Sequence, residues 1–220
     1  MIGKIAISIG LTLGLTFSIS SLVLHEVQAA TTGPNYAGAI GTNSYTNSNN
    51  ATASDEATCA GDNYGETIIS GFWRDFGFNI PSGDTINGIQ VDIKDSRNAD
   101  AGALGDVDIV IGKNETISGV AKSHTDKKKK ACGTGQAITS FGGPTDTWGL
   151  SWMPTDINSA DFTVRLRKSI LGGEHGHFIN WIRITVTHTP PPSPAPPPAP
   201  PPAPEPAPPP PPAPTPTPTP

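Results

Sequence analysis

Absent from these 220 residues are the motifs by which most catalysis is recognised. There is no Gly-x-Ser-x-Gly elbow, no His-Glu-x-x-His, no P-loop and no dinucleotide fingerprint. Enzymatic action on polysaccharide therefore ranks third among the functional readings, because no particular pair of carboxylates is nominated for glycoside hydrolysis. Basic excess is also missing. The formal net charge is −5, and nucleic-acid binding is not expected. Proline is scarce before residue 190, where only Pro34, Pro81, Pro144 and Pro154 occur. Amphipathic helix periodicity is hard to find, and after residue 24 no apolar run is long enough to span a membrane.

Both ends of the chain read as non-globular. Lys4, the apolar run Ile5–Leu24 and the small residues Val27 and Ala29 match a secretory signal peptide over 1–29, cleaved after Ala29. The alternative is an uncleaved anchor. Residues 190–220 are nearly all Pro and Ala, closing on Thr-Pro repeats, with Glu205 the sole charge. Such a segment buries no core and adopts extended polyproline II or stays disordered. As a stalk it spans roughly 95 Å at ~3.1 Å per residue. The chain stops inside the Thr-Pro repeat, as a piece of a longer protein would. Between these ends, 30–189 has the length of one domain.

That domain reads as all-β. Phe76, Phe78 and Ile80 alternate with polar or small residues, and so do Ile89, Val91 and Ile93. This predicts strand, a Pro81-Ser82-Gly83-Asp84 turn, and strand. The two strands span 72–80 and 85–95; further strands are expected over 36–45, 66–70, 106–112, 116–123, 137–141, 147–152, 161–168 and 178–187, with 51–57 partly extended. With no crossover helix between them they pair antiparallel, and two packed sheets of jelly-roll type are the natural architecture. Trp148 and Trp152 are assigned to the core of the 147–152 strand, with Asp156 capping one helical turn through Asn158.

Three stretches carry a resemblance: Phe76–Ile93 (FGFNIPSGDTINGIQVDI), Phe141–Leu166 and Ile179–Val186. Together they resemble a jelly-roll-like β-sandwich module recurrent in secreted bacterial and phage tail or virion-associated proteins. The resemblance covers about 43–188. It implies that fold in an extracellular or virion-surface setting, and it transfers no catalytic or ligand residue. The chain departs from the module's pattern at Asp126–Lys130 and in its two cysteines.

Cys59 and Cys132, an even count in an exported chain, are expected to form a disulfide closing a loop of about 70 residues. Asp95, Asn98, Asp100, Asp106 and Asp108 can supply oxygen ligands to a structural calcium, although their spacing is not that of an EF-hand loop. Asp55, Glu56 and Asp62 are a weaker set. Glu174-His175-Gly176-His177 has metal-ligand types but reads as a polar hairpin tip with both imidazoles near solvent. Lys127–Lys130 reads as a solvated loop or edge rather than an anion site. Asn50 and Asn114 fall in glycosylation sequons.

The leading functional expectation is a secreted, surface-displayed, non-catalytic binding or adhesion module for carbohydrate or another envelope component. Tyr36, Tyr45, Tyr64, Trp73 and Trp181 are its candidate sugar-stacking rings. The alternative is a self-associating structural subunit of an extracellular appendage or phage-like particle.

Overall fold

In the computed structural model the described residues are 27–52, 57–61, 68–97, 107–124, 132, 136–169, 176–194, 197–198 and 200–201. Eleven strands are present: β1 (Ala30–Tyr36), β2 (Ala39–Asn43), β3 (Ala60–Gly61), β4 (Ile68–Arg74), β5 (Thr85–Arg97), β6 (Val107–Lys113), β7 (Thr116–Ile117), β8 (Lys122–His124), β9 (Ala137–Gly142), β10 (Phe162–Ser169) and β11 (His177–Thr189). A 3-10 turn (Ser48–Thr52) and the single-turn helix α1 (Pro154–Ile157) are the only helical pieces among the described residues. All pairings are antiparallel. One sheet runs β1-β11-β5-β9 with β3 beside β11; the other runs β2-β4-β10-β6-β7 with β8 beside β6.

The pairings nest. β1 pairs with β11, β4 with β10, β5 with β9 and β6 with β8, first with last working inward. A long antiparallel ribbon with that nesting, wrapped so that β11 also meets β5 and β10 also meets β6, is a jelly-roll sandwich. The expected fold class is what the chain adopts.

Alternation builds the core. Ile89, Val91 and Ile93 of β5 and Ile182, Ile184 and Val186 of β11 point inward from one sheet. Val107, Ile109, Ile111, Val164 and Leu166 answer from the other, all with no exposed surface. Each such side chain contributes on the order of 1.5–3 kcal/mol when fully buried.

Three expected strands differ: 72–80 is paired only as far as Arg74, 147–152 is not a strand, and 116–123 is two short strands, β7 and β8, with 118–121 between them. Residues 75–80 have no ladder partner, yet Phe76, Phe78 and Ile80 are buried and Gly77 and Asn79 exposed. The alternation records which side meets the core, not whether the backbone is paired. Asn158 supplies the missing partners: Ile80 N–H donates to its Oδ1 and its Nδ2 donates to Ile80 O, both at 2.8 Å. The turn that follows forms as expected, with Asp84 N–H donating to Pro81 O at 3.1 Å. Residues 147–152 are likewise a compact loop, with Trp148 at φ 59°. The helical turn at α1 does form, and Asp156 Oδ2 accepts from Met153 N–H at 3.0 Å. Cys59 and Cys132 are bonded. No helix among the described residues is long and apolar enough to cross a membrane.

Candidate functional site

A cleft opens where the loop 143–157 folds across the β6–β7 edge of the second sheet. β6 and β7 are joined by Asn114 and Glu115, at φ 50° and 57°, the left-handed pair that a two-residue hairpin requires. The Glu115 carboxylate reaches β2 and accepts from Thr42 N–H at 2.9 Å. Hydrogen bonds from the Thr42 side chain and backbone hold its carboxyl below the ordinary value.

The loop opposite is held by two matching clamps. Lys122 Nζ lies 2.6 Å from Asp146 Oδ2 and 4.9 Å from the Trp148 ring centroid. Lys113 Nζ lies 2.6 Å from Asp156 Oδ1 and 5.6 Å from the Trp152 ring centroid. Each lysine thus covers an indole and pairs with a carboxylate on the same loop. Inside, the Trp148 indole N–H donates to Ile89 O at 2.9 Å, and the Trp152 indole N–H donates to Thr147 O at 3.0 Å. Gly142 makes room: at φ 75°, a Cβ there would lie 2.2 Å from Ile89 O and 2.8 Å from Trp148 Nε1. Asp146 is held below the ordinary aspartate range first by its bond to Lys122 and then by the Trp148 N–H. Burial pushes Asp156 up, but the Lys113 ammonium and Met153 N–H more than offset it, leaving the group lowered.

The resulting cleft has a volume of about 420 Å³ and is lined by Gly112, Lys113, Asn114, Thr116, Ser118, Leu150, Ser151 and Trp152. Asn114, Thr116, Ser118 and Ser151 are exposed, Leu150 is half-buried and Trp152 is buried. The rim therefore offers amide and hydroxyl groups over an apolar floor. That combination is chemically suited to a small polyhydroxylated ligand.

The stacking rings expected from sequence are placed elsewhere. Tyr36 is half-buried and meets Trp181 edge-on, with ring centroids 5.9 Å apart. Trp181 faces away from the core but is only 3% exposed, because Tyr36 and the Arg183 guanidinium, 4.5 Å from its centroid, cover it. Tyr45 and Trp73 are core residues, 4% and 0% exposed, packed together at 5.5 Å. None of Tyr45, Trp73 and Trp181 is an open platform. Tyr64 lies outside the described residues.

The expected calcium ligands are not assembled among the described residues. Asp95 faces the core of one sheet while Asp108 lies half-buried in the other, on the side away from Val107 and Ile109. Asn98, Asp100 and Asp106 lie outside the described residues. No group of three or more His, Cys, Asp or Glu side chains placed to hold a metal occurs among the described residues. Asp55, Glu56, Asp62, Lys127–Lys130, Glu174 and His175 are outside them too.

His177 corrects its expected place at a solvent-facing tip. It has no exposed surface. Its Nε2 is 2.8 Å from Asp95 Oδ2 and its Nδ1 3.0 Å from Tyr45 Oη. Asp95 and His177 continue the inward stripes of β5 and β11, and Lys168, 2% exposed, continues that of β10 at the same end of the sandwich. Beside them Gln136 Nε2 donates to Ser96 Oγ at 3.0 Å and lies 3.6 Å from Cys59 Sγ. Tyr–His–Asp is an acid-base series, and here, buried throughout, it ties β5 and β11 to the segment carrying Tyr45. No family model matches the chain, and no curated protein or solved structure matches it significantly.

Proposed function

We propose that the protein is an exported, non-catalytic recognition module that binds glycan, or another hydroxyl-rich envelope component, in the cleft between β6–β7 and the 143–157 loop. The observation carrying this reading is the cleft itself, with Asn114, Thr116, Ser118 and Ser151 around Leu150 and Trp152. Hydroxyl and amide groups exchange hydrogen bonds with sugar hydroxyls, and the floor receives a ring's C–H face. The Lys113 and Lys122 clamps fix the loop in advance, so little ordering cost falls on binding. Export and the stalk agree with this role: the signal-like 1–29 sends the domain out, the disulfide suits an oxidising compartment, and the Pro-rich tail holds it at a distance.

The test is a glycan array probed with the exported chain and with a Thr116→Ala/Ser118→Ala/Ser151→Ala variant, all three exposed positions. Saturable binding that drops at least about tenfold in the variant, the loss of roughly one or two hydrogen bonds, supports the reading. Binding that the variant leaves intact contradicts it.

A second reading, a self-associating structural subunit, is favoured by one observation. β9 is the last strand of its sheet among the described residues and exposes Ile138 at 52%. Exposed edges template strand addition. Light scattering across a concentration series decides: oligomers abolished by Ile138→Lys favour this role, and a monomer throughout removes it.

A further inference from the structure

Among the described residues, the charges at and beside the cleft have partners within the fold. Among the described residues lining it, Lys113 is the one charged side chain, and its Nζ is 2.6 Å from Asp156 Oδ1. Just outside, Lys122 is paired with Asp146 at 2.6 Å and the Glu115 carboxylate is engaged by Thr42 N–H. An anionic ligand at Lys113 would share its ammonium with Asp156 and sit beside that carboxylate. Like charges so placed repel. The whole-chain charge of −5 opposes the approach of polyanions as well. Apolar surface, by contrast, is on offer. Val120, whose N–H donates to Trp148 O at 2.8 Å, and Met153, next to Trp152, are each 61% exposed.

We infer that the cleft selects neutral sugars with an apolar ring face and discriminates against uronic or phosphorylated glycans. This rests on the glycan-binding reading of the same cleft. Recognition is then by hydrogen bonding and apolar contact, with no ion pair between protein and ligand, and so is nearly independent of salt.

The experiment is calorimetric titration of the exported full chain at 50 and 500 mM NaCl. The probes are cellohexaose, mannohexaose and chitohexaose as neutral ligands, and oligogalacturonate and poly(ribitol phosphate) as anionic ones. The inference expects a neutral probe to bind with a Kd that changes less than about twofold between the two salts. The Thr116→Ala/Ser118→Ala/Ser151→Ala variant loses that binding. Anionic probes binding more tightly, with affinity that falls in salt and is lost in the variant, would overturn the selectivity while leaving the cleft as the site. No binding by any probe, or binding that the variant does not alter, would overturn the glycan reading itself.

Discussion

His177 shows what one buried polar residue does for this fold. It has no solvent and bridges Asp95 and Tyr45. His177→Phe removes one hydrogen bond from each of Asp95 and Tyr45 inside the fold, and we expect a loss of roughly 1–3 kcal/mol. Denaturant unfolding measures it. His177→Phe/Asp95→Leu should be less destabilised than His177→Phe alone, and a strictly additive pair would argue against coupling. Gly142 is a second sensitive residue. Its Cβ-free approach to Ile89 O and Trp148 Nε1 and its φ of 75° make Gly142→Ala cost about 1–3 kcal/mol. An unfolding midpoint equal to the parent's would show that the loop shifts freely there. His177 was not legible from alternation: counting back by twos from Ile182 points it outward, and only the register shift between Ile179 and Trp181 turns Ile179 and His177 inward. The Gly172-Gly173 pair and the neighbouring His175 drew it into a polar turn instead.

The element that makes the cleft is the 143–157 loop, and its clamps have a pH dependence. Asp146 and Asp156 both titrate below the ordinary aspartate value of 3.8 when folded. A depressed folded pKa gives a contribution that is present above the unfolded value and lost as pH falls through the folded one. The loop should therefore hold at neutral pH and loosen below about pH 4. Tryptophan fluorescence from pH 7 to 3 reports this through Trp148 and Trp152. Asp146→Asn should remove part of the transition, and an unchanged acid titration would sink the clamp. This element was the least legible in sequence. Trp148, Leu150 and Trp152 have strand spacing, and nothing local announces that Trp148 takes a positive φ. Lys113, Asn114, Thr116 and Ser118 are ordinary surface types that become a site only because a distant loop folds over their edge. The long strands were plain by comparison, since apolar alternation over 89–93, 107–111, 162–166 and 182–186 leaves one face for the core.

For the molecule as a whole, nested pairing brings residues far apart in sequence together, and the Cys59–Cys132 bond secures one end of it. Reduction, or Cys59→Ala/Cys132→Ala, should cost about 2–5 kcal/mol. Thermal unfolding with and without reductant measures it; coincident transitions would mean the bond adds nothing to stability. The polar groups Asp95, His177 and Lys168 cluster at one end of the sandwich, whereas the cleft lies along the β6–β7 edge. Disturbing the buried network should therefore change stability more than ligand affinity.

The central claim is where the ligand sits. The most direct measurement follows backbone amide resonances of the exported chain as a neutral hexasaccharide is titrated in. The account predicts saturable shifts concentrated in 112–118 and 150–153, with Tyr45, Trp73 and Trp181 unmoved. Shifts gathered instead around Tyr36 and Trp181, or spread along the β9 edge, would contradict it.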